Sequence, residues 1–260
     1  MTDTETREQH RPVKSSERTL EILEHLAAVG ERRTLGELSR DLGIPKSSLH
    51  AILRTMQEMG WIRTDPSGLR FGLGVRALLV GASYVDSDDV VALTADTLDA
   101  LAEEVGETVH LGRLDGADVV YLAKRESKHP LRLFSAVGRR LPAHATALGK
   151  AVLSMQDPAA VRVMLPDHLR ALTPNTIVDH ERLREELAAI RARGYAIDNE
   201  ENAEGIRCIA VAIRRDGLVR DAISCSVPMI RMNADAEAGI VEAMLRARER
   251  AESRLGFERH

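Results

Sequence analysis

Long hydrophobic runs are missing from this chain. No stretch of its 260 residues approaches the roughly 20 consecutive apolar residues that a membrane span requires. The opening residues, among them Thr2, Asp3, Glu5, Arg7 and Glu8, lack the apolar core of a signal peptide, so a cytoplasmic location without a membrane partner is expected. Cysteine is scarce: Cys208 and Cys225 are the only two, which excludes a disulfide framework and leaves both as reduced thiols. The nine histidines include no i, i+4 pair, and no cysteines stand at ligand spacing, so no metal and no cofactor is expected. Positive charge is not in excess either. Lys and Arg number 36 against 40 Asp and Glu, giving a net charge of -4, so a nucleic-acid partner would have to be held by local charge. Internal repeats and low-complexity tracts are also lacking. What is present, 44% apolar and 29% charged residues, is ordinary for a soluble globular chain, and the length suits two domains.

Residues 1–14 are polar and aperiodic and read as a disordered leader. From about Ser16 to Val29, Leu20, Leu23 and Ala27 run beside Ile22 and Leu26 as an apolar helical stripe, and Gly30 stops it. Thr34 followed by Glu37 fits a capping box for a second helix that buries Leu35, Leu38 and Leu42. Gly43 makes a turn, and Pro45 suits the first position of a third helix, where a missing N–H costs nothing. Leu49, Ile52, Leu53, Met56 and Met59 line one side of that helix, with Lys46, Ser47, His50, Arg54 and Gln57 on the other. The period then becomes extended: 61–64 and 69–73 flank Asp65-Pro66-Ser67-Gly68, a turn between two short strands. Three helices and a hairpin in this order predict a winged helix-turn-helix over 15–74. A helix follows over about 75–85, within a linker assigned to 75–87.

The remainder, 88–258, has a different rhythm. Val109–Leu114 and Val119–Lys124 are β-branched runs joined through Asp115-Gly116, a hairpin signal. Leu131–Ser135 suggests a third strand. Helices are expected from Thr146, over Asp179–Arg193 with Gly194 at its end, and after Asn233, with strands at 195–200, 206–213 and 218–227. Hairpins mixed with helices that do not alternate strictly with strands imply an α+β domain whose sheet is mainly antiparallel and flanked by helices.

Lys46, Ser47, Ser48, His50 and Arg54 supply the short donors and long cations with which a recognition helix reads a major groove, and Arg63 and Arg70 add charge beside the hairpin tip. The plainer alternative is the solvated polar face of a small helical bundle. Residues 1–75 hold eleven basic and eleven acidic side chains, so one copy should bind double-stranded DNA modestly, and useful affinity needs two or more copies. In 206–213 alternation puts Cys208, Ala210 and Ala212 on one face, and in 222–227 Ser224 and Ser226 join Ala222. A sheet with one apolar and one small or polar face suggests a cavity on the second; a helix packed closely over small residues is the alternative. A helix opening near Ala145-Thr146 would aim N–H groups at a ligand anion. Cys208 or Cys225, His144 and Asp198 could be assembled into a nucleophile, base and orienter, but no nucleophile elbow or oxyanion loop accompanies them, so an enzyme is not expected.

Leu-Gly-Ile-Pro-Lys-Ser-Ser-Leu-His (42–50) resembles the IclR family of bacterial regulators. The resemblance continues through Gly138-Arg139-Arg140-Leu141-Pro142-Ala143-His144-Ala145-Thr146-Ala147-Leu148-Gly149-Lys150-Ala151, Arg193-Gly194-Tyr195-Ala196-Ile197-Asp198, Gly205-Ile206-Arg207-Cys208-Ile209-Ala210 and Ser224-Cys225-Ser226-Val227-Pro228. It covers about 14–256. It implies a winged helix-turn-helix, a linker helix and a GAF-like effector-binding domain, packed as a homodimer or dimer of dimers. It also implies that Asp198, Cys208, Ser224 and Ser226 line an effector pocket. The expected function is a transcriptional repressor or activator whose operator binding responds to a small organic acid. A metabolic enzyme fused to a DNA-binding domain, and a constitutive DNA-binding protein without effector, are the alternatives.

Overall fold

The computed structural model describes residues 13–132 and 135–256. The leader expected at 1–14 lies outside these except for Val13 and Lys14, as do 257–258 at the far end of the second expected domain. The chain divides into two compact units, the boundary along the sequence falling between Tyr84 and Val85.

In the first unit α1 (Lys14–Val29) ends at Gly30, whose left-handed φ of +70° lets its N–H reach back to the Leu26 carbonyl. A two-residue strand, β1 (Arg33–Thr34), leads into α2 (Leu35–Asp41). The expected capping box is present: the Glu37 N–H donates to Thr34 Oγ1 at 3.2 Å, and the Thr34 N–H donates to Glu37 Oε2 at 2.7 Å. Pro45 sits at the N-cap of α3 (Lys46–Glu58), one place earlier than expected, because its carbonyl already accepts from the Leu49 N–H at 2.9 Å. β2 (Ile62–Thr64) and β3 (Arg70–Leu73) pair antiparallel around a turn in which Asp65 Oδ1 accepts from the Leu69 and Arg70 N–H groups. β1 pairs with the other edge of β3, an addition that two residues without periodicity could not signal. Ile22, Leu26, Leu38, Ile44, Leu49, Leu53, Met56 and Ile62 form the buried core. α4 (Val75–Asp86) buries none of its residues.

The second unit opens with α5 (Asp89–Val105), capped by the Asp88 carboxylate, which accepts from the Val90 and Val91 N–H groups. There follow β4 (Thr108–Asp115), β5 (Asp118–Arg125), β6 (Arg140–Pro142), α6 (Ala147–Leu153), α7 (Pro158–Met164), α8 (His180–Arg193), β7 (Ala196–Asn199), β8 (Ile206–Arg215), β9 (Leu218–Pro228) and α9 (Ala234–Arg254). The strands form one antiparallel sheet in the order β6-β5-β4-β9-β8-β7. Two tight hairpins build it, at Asp115-Gly116 and at Asp216-Gly217, where φ values of +49° and +75° match the right-handed twist of the flanking strands.

Alternation along the strands separates two cores. On one face Val109, Leu111, Ile209, Val211, Ile223, Cys225 and Val227 pack under α5 and α9 through Leu98, Leu101, Ile240, Met244 and Ala247. On the other, Tyr121, Ala196, Ala210 and Ala222 lie with Ala147, Leu148 and Ala151 of α6. Small side chains let α6 approach closely. A Cβ on Gly149 would stand 2.2 Å from the Ala143 carbonyl oxygen, and one on Gly112 would stand 2.9 Å from Leu148 Cδ1.

The strand expected at Leu131–Ser135 is not formed by Leu131, Arg132 or Ser135, while 133–134 lie outside the described residues. The edge of β5 is taken instead by β6, whose Leu141 pairs with Val119. Residues 131–135 are apolar in pattern, but the Lys124 Nζ and His110 Nε2 contacts to Ser135 tie that end to the sheet through side chains, not through a ladder. α7, begun by Pro158 after the Asp157 cap, is an addition to the expected elements.

Candidate functional site

In the first unit the polar side of α3 faces water: Lys46, Ser47, His50 and Arg54 are exposed and Ser48 is half-buried, while Leu49, Leu53 and Met56 fill the core beneath. Lys46, Ser47 and Ser48 occupy the first turn, where N–H groups lack intrahelical partners and the helix dipole favours an anion. Arg54 Nε donates to Glu58 Oε1 at 2.9 Å, one turn away. Exposed pairs of this kind contribute at most about 1 kcal/mol, so the guanidinium is readily released to another acceptor. Arg63 and Arg70 are exposed on the two strands of the hairpin. β1 brings Arg32 and Arg33 beside β3, with Arg33 opposite Phe71 and the Arg32 carbonyl accepting from Arg70 at 3.4 Å. Nothing periodic in the sequence signals that juxtaposition.

In the second unit four expected residues share one sheet face in continuous register. Asp198 lies opposite Cys208, Cys208 opposite Ser226, and Ser224 lies one pair further along between Ala210 and His110. Asp198, Ser224 and Ser226 are buried and Cys208 nearly so. The Cys208 thiol donates to Ser226 Oγ at 3.2 Å. Asp198 Oδ1 accepts from the Glu201 N–H at 2.7 Å and the Asn202 N–H at 3.3 Å, which shapes the loop after β7. Burial, reinforced by the Glu201 charge, pushes the Asp198 carboxyl up to about 7, against the opposing pull of those N–H groups and of Lys150. Ala145 is buried in a single 3-10 turn (Ala143–Ala145), and Thr146 caps α6, its Oγ1 accepting from the Gly149 N–H at 3.1 Å.

The fold adds groups that the sequence pattern does not single out. His110 is fully buried, its ring stacked on Tyr121 with centroids 4.4 Å apart, and its Nε2 lies 2.7 Å from Ser135 Oγ. Burial pushes the imidazole down to about 3, with the Lys124 and Arg139 charges adding to the effect, so it is neutral at physiological pH. Burial also raises the Tyr121 phenol, with further contributions from Cys208 and Asp198, which brings that side chain electrostatically into the same patch. Lys150 of α6, 1% exposed, donates to Glu201 Oε1 at 2.5 Å. A histidine between Val109 and Leu111, and a lysine inside an otherwise apolar helix, are the only sequence hints. A separate cavity of about 80 Å3, lined by Ser154, Tyr195, Ala212, Arg191, Arg214 and Arg248 among others, touches none of the six expected effector residues.

The groups needed for nucleophilic catalysis are not brought together. Cys225 faces the α5–α9 core, on the opposite side of the sheet from Cys208. The His144 Nε2–H donates to the Arg170 carbonyl at 3.0 Å. Burial pushes both thiols up, the reverse of what activates a cysteine. Among the described residues no cluster of three His, Cys, Asp or Glu could hold a metal ion, and no helix is long and apolar enough to cross a membrane.

Comparison with known proteins places both units. The IclR helix-turn-helix domain model matches 15–66, and the model of the bacterial transcriptional regulator IclR C-terminal domain matches 82–253. The HTH-type transcriptional regulator XynR of Escherichia coli is 35% identical over 248 residues, 94% of this chain and 98% of that protein. The transcriptional repressor IclR of the same organism is 34% identical over 229 residues, 86% of this chain and 83% of that protein. Among solved structures, an IclR transcriptional regulator from Alicyclobacillus acidocaldarius has a TM-score of 0.83 at 26% identity, covering 95% of this chain and 100% of that one. An IclR homologue from Microbacterium hydrocarbonoxydans, complexed with 4-hydroxybenzoate, has the same fold, with a TM-score of 0.77 at 23% identity over 93% of this chain and 99% of that one.

Proposed function

The chain belongs to the IclR family of bacterial DNA-binding transcriptional regulators, and from that premise we propose that a small organic acid, bound on the polar sheet face of the second unit, modulates how the first unit reads operator DNA. The observation that carries this reading is the contiguous patch of Asp198, Cys208, Ser224 and Ser226. Polar groups are costly to bury, and here four of them stand on a buried sheet face beside Tyr121, Ala196, Ala210 and Ala222. Hydroxyls suit a carboxylate, and Ala145 and Thr146 stand just before the N-terminal end of α6, where the helix dipole favours negative charge. The Microbacterium homologue of the same fold is complexed with an aromatic acid. Lys46, Ser47, Ser48, His50 and Arg54 would enter the major groove, with Arg63 and Arg70 at the flanking backbone.

The reading takes 15–74 as the DNA-binding domain, 75–87 as a linker helix and 88–258 as the effector domain, acting in the cytoplasm. It also takes the active form as a homodimer or dimer of dimers joined through α4. Leu78 is 69% exposed and Leu79 61%, more than a lone soluble helix gains by presenting to water, and paired heads supply the avidity that one neutral head lacks. The acid would bind one arrangement of the assembly better than another and so shift the population competent for DNA.

Polarisation titrations on the DNA upstream of the protein's own gene test this. Binding should weaken steeply with salt, and Arg54→Ala should cost about 1–3 kcal/mol if the arginine reads a base. A carboxylic acid that changes operator affinity in the parent should lose that effect in Ser226→Leu, which fills the patch and removes a donor. Salt-independent binding refutes the DNA face, and an unaltered response in Ser226→Leu refutes the effector site.

A further inference from the structure

We propose that His110 is a specificity-determining residue of the effector site, its Nδ1–H donating a hydrogen bond to an oxygen of the bound acid; this rests on the effector reading above. Strand pairing places His110 on the polar face. Val109 and Leu111, its neighbours in β4, point into the core under α5 and α9, and His110 lies directly opposite Ser224 of β9. Its ring stacks on Tyr121, which belongs to the same face as Ala210 and Ala222 and feels the charges of Cys208 and Asp198.

The proton on the ring can be located by elimination. Ser135 is buried, and its Oγ makes no contact among the described residues other than the one with His110 Nε2 at 2.7 Å. A buried hydroxyl proton needs an acceptor, and among the described residues Nε2 is the acceptor within reach. Ser135 therefore donates, Nε2 accepts, and the neutral imidazole carries its single proton on Nδ1. That Nδ1 is buried and has no hydrogen-bond partner among the described residues. The surrounding fold holds the orphaned donor in place, because the Lys124 ammonium donates to the Ser135 carbonyl at 2.6 Å and anchors the residue that orients the ring. An unsatisfied donor in the interior is a cost that folding does not explain, and an acid oxygen beside Ser224 would relieve it. The ring stays neutral throughout the physiological range, so it offers a directed hydrogen bond and no charge.

Two amides separate the two ring nitrogens. In His110→Gln the side-chain amide reaches the position of Nε2 and keeps the Ser135 contact without the Nδ1 donor. In His110→Asn the amide stands near Nδ1 and keeps the donor. Calorimetry and thermal shift on the full chain with acetate, pyruvate and benzoate as probes compare these variants with the parent and with Ser226→Leu. The tightest probe should lose at least about tenfold in affinity in His110→Gln, the size of one hydrogen bond to a charged group, and stay within about threefold in His110→Asn. Equal binding by parent and His110→Gln, or equal losses in both variants, overturns the assignment and leaves the pocket standing. Unchanged binding in Ser226→Leu, or no binding of any probe to the parent, overturns the effector reading and this inference with it. Nitrogen-15 spectra of the histidine-labelled parent give a readout independent of the variants: an Nδ1–H tautomer is expected, and an Nε2–H tautomer refutes the proposal.

Discussion

Gly149 offers the sharpest test of how α6 is seated over the polar face. In an exposed helix Gly→Ala gains up to about 1 kcal/mol, because alanine loses less backbone entropy on folding. At Gly149 the sign should reverse. An added Cβ would stand 2.2 Å from the Ala143 oxygen, 2.3 Å from its Cα and 2.6 Å from its carbonyl carbon, where real Cβ contacts essentially never fall below 3.0 Å. All three atoms are backbone, so no rotamer change relieves the overlap, and the Ala143–Ala145 turn or α6 must move by most of an ångström. Overpacking of this kind costs about 1–3 kcal/mol or more, which exceeds the propensity gain. For a unit of this size each kcal/mol lowers the melting temperature by roughly 2–4 °C. Gly239→Ala, at an exposed position of α9 where nothing lies within 4 Å of the added carbon, is the matched control and should be neutral or stabilising. Differential scanning calorimetry of the three proteins decides the matter. If Gly149→Ala melts at or above the parent, the close approach of α6 to the preceding turn is wrong, and with it the reason for glycine at that position.

Lys150→Met should destabilise by about 3–5 kcal/mol, because Glu201 would be left as a buried charge without its ammonium, whereas Lys150→Met with Glu201→Leu should recover most of the loss. Urea denaturation measures both, and a double variant as weak as the single one refutes the account. Asp198 carries a folded-state value raised to about 7 from 3.8, so the proton it keeps on folding adds stability that is fully present below pH 3.8 and is lost as pH rises through about 7. Unfolding free energy should therefore fall between pH 4.5 and 7.5, and Asp198→Asn, which retains an acceptor for the Glu201 and Asn202 N–H groups, should flatten that fall; an unchanged slope argues that Asp198 is already ionised. Leu78→Glu with Leu79→Glu should shift the light-scattering mass toward the monomer and weaken operator binding, and a mass and affinity equal to the parent's would remove α4 from the interface.

Elements with strong local signals were legible from sequence. The capping box at Thr34 and Glu37, the stops at Gly30 and Gly194, the hairpin at Asp115-Gly116 and the Asn233 cap are written into residues a few positions apart, so local hydrogen bonding and backbone freedom decide them. The same holds for strand faces, since period-two alternation alone separates Cys208 and Ser226 from Ile209 and Cys225. What lies beyond reach is whatever depends on pairing between distant segments. β1 exists only because β3 offers it an edge, and β6 is a strand because Leu141 meets Val119 of β5. His110 becomes part of the polar patch because β4 docks on β9 across more than one hundred residues, and Lys150 is buried because Glu201, from the loop after β7, is folded against it. Local chemistry determined the elements and their faces. Only tertiary packing decided which faces meet, because loop closure carries no sequence signature and the free energy of a buried polar group depends on a partner supplied from elsewhere in the chain.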